Sequence, residues 1–272
     1  MRMTVSNEKN RQAGMNRRRF ICKCGLALGG FLAGYGRVGE VSAAGMASLW
    51  GTARRPQIAL IIDDIGQSRT RAREFMEIDI ALTFSILPHL PYSREMAEEM
   101  NRVGYEVMLH QPMEPYSTVQ DPGPGTLYVG DGPDRVTKVM EENIRNIPHA
   151  VGVNNHMGSK FTESSDDVGK ALKIVKQKKL FFVDSWTSSH SKAHAISTSF
   201  GIPTLSRRIF LDNVREESAV LKELTRLKQC ALRNGQAVGI GHPVSSTARA
   251  INRFARDRRN ADIELVSVSE LL

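Results

Sequence analysis

The chain has 272 residues, 41% of them hydrophobic, a formal net charge of +8 and 3 cysteines. Residues 1–44 hold eight Lys/Arg against two Asp/Glu, a net of +6, which leaves only +2 for everything after them. A nucleic-acid binder read from overall basicity is therefore excluded. So is a disulfide scaffold, because Cys22 and Cys24 fall in the N-terminal stretch and Cys230 stands alone beyond it.

The N-terminus reads as an address. Asn16-Arg17-Arg18-Arg19-Phe20-Ile21 precedes a glycine-rich apolar run from Cys24 to Tyr35, then Val41-Ser42-Ala43-Ala44. This is a charged region, a short apolar region and a small-residue cleavage site. The run is too short and too rich in glycine for a good membrane span. Arg17-Arg18 ahead of Arg19-Phe20-Ile21 resembles a twin-arginine signal, which export machinery reads and which moves folded proteins. An ordinary secretory signal or an uncleaved anchor is the alternative, and Met15 is a second candidate start. The expected organisation is an export signal over 1–44, a small, polar and basic linker over 45–55, and one domain over 56–272. The expected destination is the periplasm, with no membrane span in the mature form. About 225 residues are ample for a single core.

From there apolar runs alternate with amphipathic segments. The pattern predicts strands over 57–63, 80–87, 105–110, 150–154, 180–184, 202–206, 236–241 and 262–267. It predicts helices over 68–77, 92–103, 133–147, 165–178, 189–200, 213–234 and 246–259. Seven or so βα units in one domain give an α/β fold, a distorted (β/α) barrel of about seven parallel strands. An open doubly wound sheet is the alternative. The Pro- and Gly-rich stretch from Gln120 to Gly132 reads as a long loop at the rim of a binding site.

The first strand carries the strongest signal. Ile58-Ala59-Leu60-Ile61-Ile62 runs directly into Asp63-Asp64-Ile65-Gly66. Five apolar residues in a row suit a strand buried on both faces. Adjacent carboxylates at its end repel one another unless something stabilises them, and a metal ion does so while leaving one carboxylate free as a base. An N-cap role for Asp64 is the plainer explanation. His110, His156, Asp184 and His242 each follow another predicted strand, so all fall at the face where α/β folds place their chemistry. His190 and His194 have helical i,i+4 spacing but read as a solvated helix face.

These residues carry a resemblance. Ile61-Ile62-Asp63-Asp64-Ile65-Gly66 is similar to the Asp-Asp-Gly motif of the NodB-type carbohydrate deacetylases, and Gly104-Tyr105-Glu106-Val107-Met108-Leu109-His110 to the segment opening their His-x-x-x-His metal motif. Asn154-Asn155-His156-Met157-Gly158-Ser159, Phe182-Val183-Asp184-Ser185-Trp186-Thr187 and Gly239-Ile240-Gly241-His242-Pro243 resemble signatures of the divergent polysaccharide deacetylase family. The resemblance spans residues 56–272. It implies a distorted barrel, a divalent metal with zinc expected, a carbohydrate substrate, and removal of acyl groups. It implies Asp63 as general base and His242 as general acid. The second histidine of the NodB motif would fall at Glu114. The implied ligand set is then Asp64, His110 and His156, with Glu114 as alternative ligand or as support to a ligand histidine. Asp184 and Asp212 are candidates for the surrounding shell, and Trp186 and Tyr128 for stacking on sugar. Two other readings stay open. One is a non-catalytic, metal-holding glycan-binding or envelope scaffold protein. The other is glycoside hydrolysis, for which Asp63 has no evident carboxylate partner.

Overall fold

In the computed structural model residues 55–272 are described. The expected signal over 1–44, and the linker over 45–55 apart from Arg55, lie outside the described residues. In chain order the elements are β1 (Gln57–Ile65), α1 (Arg69–Met76), β2 (Thr83–Ile86), α2 (Ser93–Arg102), β3 (Glu106–Met113) and α3 (Pro133–Asn146). Then come β4 (Ala150–Met157), α4 (Ser165–Gln177), β5 (Phe181–Asp184), α5 (Ala193–Ser199), β6 (Thr204–Ser206) and β7 (Ile209–Phe210). The chain ends with α6 (Glu217–Asn234), β8 (Gln236–Gly241), α7 (Ser245–Arg256), β9 (Glu264–Val266) and a 3-10 turn (Val268–Leu271). Among the described residues no helix is long and apolar enough to cross a membrane.

The strands form one sheet in the order β6-β5-β4-β3-β2-β1-β8-β7, with β9 also on β1. All pairs are parallel. The sheet's two edges are β6 and β7, which are neighbours in sequence. The Arg207 N–H donates to the Asp184 carbonyl at 3.0 Å on one side, and the Arg208 N–H to the Val238 carbonyl at 2.8 Å on the other. One short stretch thus closes the ring, and the fold is the expected distorted barrel of parallel strands. Sequence periodicity did not separate β7, because two residues are too few to show a period.

Alternation along the strands sorts side chains into two cores. From β1, Ile58, Leu60 and Ile62 point outward into the layer under the helices, while Ala59 and Ile61 point into the barrel. Full burial of each large aliphatic contributes about 1.5–3 kcal/mol. The interior is a packed core: Met108, Phe181, Val183, Val238 and Ile240 fill it, and Val266, Val268 and Leu271 seal its lower end. Gly152 makes room for this packing. A Cβ there would lie 2.2 Å from Cε2 of Phe181. Gly152→Ala is expected to cost about 1–3 kcal/mol by overpacking, read as a lower urea midpoint at unchanged slope. An unshifted midpoint would show that the Phe181 ring moves aside freely.

Helix boundaries follow local chemistry. Ser68 and Ser164 cap α1 and α4 by accepting from the backbone N–H of Arg71 and Asp167. Pro133 opens α3, where its missing N–H costs nothing. The helix expected over 189–200 begins only at Ala193. His190 therefore lies in a turn, and His194 bonds Ser206 at 2.8 Å, so the two do not share a helix face.

Candidate metal centre

Asp63 continues the inward set Ala59, Ile61, Asp63 and is buried inside the barrel. Simple alternation would turn Asp64 outward. Instead the β1–β2 register breaks between Ile62 and Ile65, and Asp64 adopts a left-handed φ of 58°. The irregularity swings Asp64 toward the same centre as its neighbour. A non-glycine residue held in this region stores strain that the surrounding structure must sustain, a pattern that clusters at functional sites.

β3 and β4 run about three residues farther than expected, so His110 lies in the middle of its strand rather than at its end, and His156 lies within its strand rather than beyond it. His110 Nε2 lies 3.2 Å from Asp64 Oδ1, His156 Nδ1 lies 3.0 Å from the same oxygen, and the two nitrogens are 3.1 Å apart. Among the described residues this is the group of acidic and imidazole side chains placed to hold an ion. Asp64 Oδ1 is buried, yet no hydrogen bond satisfies it. Three donor atoms in a near-equilateral triangle match one face of a tetrahedron, whose edge for bonds of ~2.0–2.1 Å is about 3.3 Å. Two nitrogens, one oxygen and an open fourth position make a donor set that fits zinc.

The supporting contacts fit the same use. His110 Nδ1 meets Asn154 Oδ1 at 2.8 Å, which fixes the tautomer and leaves Nε2 free to ligate. Asn154 Oδ1 also accepts from Ser85, and its Nδ2 donates to Asp63 Oδ1 at 2.9 Å. One buried amide therefore orients both a ligand and the neighbouring carboxylate. Sequence reasoning passed over Asn154 except as part of a signature; its inward parity with His156 on β4 was the available signal.

Electrostatics follow from burial and crowding. Burial pushes the Asp63 carboxyl up, against the pull of His110 and His242. Burial would also raise Asp64, but the two imidazoles beside it hold it well below the usual carboxylate range. Burial opposes protonation of His110, yet Asp63 and Asp64 outweigh it and raise its pKa.

His242 lies at the end of β8, with Nε2 4.0 Å from Asp64 Oδ2. Its Nδ1 meets Asp212 Oδ1 at 2.8 Å, and its backbone N–H donates to Asp212 Oδ2 at 2.7 Å. Thr247 Oγ1 donates to that same oxygen at 2.8 Å. Burial disfavours the imidazolium, but Asp212, Asp63 and Asp64 together push its pKa up to about 9. The ring also stacks on Phe210, which Arg207 covers on 3.6 Å contact.

The other candidates lie apart from the triangle. Glu114 accepts from Lys160 Nζ at 2.6 Å and from the Val129 N–H at 2.8 Å, so its carboxylate braces loops. Asp184 accepts from the Trp186 N–H and from Ser191 Oγ, both at 2.8 Å, and ties down the turn ahead of α5 instead of orienting an imidazole ring. Asp212 bonds His242 and Thr247. Trp186 has a left-handed φ of 50° and is half exposed, with its carbonyl bonded to Arg207. Tyr128 lines a separate open depression with His89, Arg135 and Asn143, and the Arg135 guanidinium lies over its ring.

The profile of the divergent polysaccharide deacetylase family matches residues 60–272. An uncharacterized Escherichia coli protein, YibQ, is 32% identical over 216 residues, covering 79% of this chain and 67% of that one. A crystal structure of an uncharacterized Agrobacterium tumefaciens protein is similar with a TM-score of 0.76 and 26% identity, over 88% of this chain and 100% of that chain. A mutant of a Bacillus anthracis CE4 family pseudoenzyme, with restored enzymatic activity, shares the fold at a TM-score of 0.50 and 15% identity, over 80% of this chain and 67% of that chain. With the match running from within β1 to the last residue, the chain belongs to the divergent polysaccharide deacetylase family.

Proposed function

We propose that the protein is a metal-dependent hydrolase that removes acyl groups, acetyl above all, from an envelope carbohydrate. The observation that carries this reading is the pairing of a three-atom metal face with two further groups a metal-holder does not need: Asp63, 3.6 Å from His110 Nε2, and His242, held by Asp212. An ion bound by Asp64, His110 and His156 supplies polarisation of an acyl carbonyl and a water of lowered pKa. Asp63 takes the proton from the attacking water. Its neighbour Asn154 fixes its orientation, and burial strengthens it as a base. His242, protonated through Asp212, gives a proton to the departing amine or alcohol. Trp186 offers an exposed ring to the sugar.

Asp63→Asn tests this. It is expected to keep the metal and the fold and to lose about 10²–10⁴-fold in rate, the usual contribution of a positioned base. Acetate release from acetylated glycans, beside metal analysis, is the measurement; wild-type rates in the variant would refute the role. A metal-holding glycan-binding module is the second reading. It is favoured by Glu114, which stands where the NodB pattern has a metal histidine and is engaged by Lys160. It predicts no turnover of any acylated glycan.

The N-terminal pattern supports export to the periplasm along the twin-arginine route. Replacing Arg17 and Arg18 together by lysine is expected to abolish delivery, read by fractionation. Delivery at the normal rate in the double variant would assign the general secretory route.

A further inference from the structure

The turn that follows β5 is held by an arginine from the seam that closes the ring. Arg207 donates to three successive carbonyls: its backbone N–H to Asp184 at 3.0 Å, its Nε to Ser185 at 2.6 Å and its Nη2 to Trp186 at 2.9 Å. The Trp186 N–H is taken by Asp184 Oδ1 at 2.8 Å, so this residue is fixed at both ends. The bracing sustains the left-handed φ of 50° at Trp186. It also gives Arg207 a rigid anchor.

The same guanidinium makes a second kind of contact. Its Cζ lies 3.6 Å from the centroid of the Phe210 ring. Phe210 in turn stacks on His242, with centroids 6.0 Å apart and planes 26° from parallel. Among the described residues, both side-chain hydrogen bonds of Arg207 go to backbone carbonyls and neither to a carboxylate. Burial disfavours its charge, Asp184 and Asp63 offset this only in part, and its pKa falls below the ordinary arginine value. A cation held half-buried on carbonyls and a ring is costly to place. Closing the seam does not call for one: Arg208 closes the other side with its backbone N–H.

The proton donor supplies a reason. Asp212 holds the His242 ring by one edge, through Nδ1. A ring bonded at a single nitrogen still swings about that bond, and its plane decides where Nε2 points. Phe210 limits the swing, and Arg207 backs Phe210. We propose that Arg207, anchored on the turn after β5, is a positioning residue that sets the plane of the His242 ring through Phe210. Lysine cannot perform this task, because it has neither the planar fork for two carbonyls nor a flat face for the ring. The inference rests on the deacetylase reading above. A misplaced acid harms only reactions whose leaving group needs a proton, since placement enters the rate through that step.

The test uses the full chain loaded with zinc. The turnover number is measured on an N-acetylglucosamine oligomer and on para-nitrophenyl acetate, whose leaving group departs without a proton. Arg207→Gln and Arg207→Lys are each expected to lose about tenfold more on the amide than on the ester, a part of what a positioned acid contributes. Phe210→Leu is expected to show the same split with the Arg207 anchor intact. Adding Arg207→Gln to it is expected to cost little more, because both act through one stack. Should Arg207→Gln fail to fold, Arg207→Lys and Phe210→Leu carry the comparison. Equal losses on the two substrates, a lysine variant at the wild-type rate, or losses that multiply in the double variant overturn the proposal. A second readout needs no turnover. The His242 ring-proton resonance, identified by its absence in His242→Ala, is expected to shift in both Arg207 variants at unchanged metal content. A resonance that stays in place overturns the positioning role. One that shifts in a protein turning over no acylated substrate leaves that role standing while the deacetylase reading fails.

Discussion

His156→Ala is expected to strip the protein of its metal. The wild type should purify with on the order of one divalent ion per chain, and the variant with a small fraction of that. Loss of a group that merely supports a ligand weakens metal binding about 10–100-fold, and loss of a ligand should exceed this. Glu114→Ala is the control, because that carboxylate is occupied by Lys160 and the Val129 N–H. Metal analysis of both variants decides the matter. Full metal in His156→Ala with loss in Glu114→Ala would restore the NodB-like spacing and displace the triangle described above.

Asp212→Asn should move the alkaline limb of the pH–rate profile. His242 has its pKa pushed up to about 9 by Asp212, Asp63 and Asp64 against its burial. A group with a raised pKa stays protonated below that value and loses its proton as pH rises through it. The acid is thus available through neutral pH and is lost near pH 9. Without the Asp212 charge the pKa should fall toward the ordinary imidazole value of ~6.5. At pH 8 the protonated fraction would then drop about thirtyfold, with little change at pH 6. Rates on an amide-linked acetyl group across pH 5–10 are the measurement. A limb that stays near pH 9 in the variant would show that another group delivers the proton.

The strand and helix order was legible because alternating apolar runs and amphipathic stretches are long and regular here. Site positions were legible for a related reason: polar residues that interrupt a buried strand have few plausible purposes. What sequence could not show was the turn of the backbone. Asp63 and Asp64 have opposite parity, and only the register break with β2 aims both at one centre. The reach of β3 and β4 past His110 and His156 was hidden because Pro112 and Asn155 do not look like strand interior. Asp184 reads from sequence as one more carboxylate on the active face. Its bonds to Trp186 and Ser191 appear only once the following turn is folded.

The pairing of Gln57–Ala59 with Glu264–Val266 joins the first strand of the domain to the last. The turn after it enters the barrel floor, where the Val268 N–H donates to Thr83 Oγ1 at 3.1 Å. The sheet around β1 is therefore incomplete until the 264–268 segment is available to pair with it. Contacts of such long sequence separation form late and slowly. Trimming the last nine residues, from Glu264 onward, would leave the lower half of β1 without a partner on one side and expose the apolar floor, a surface prone to aggregation.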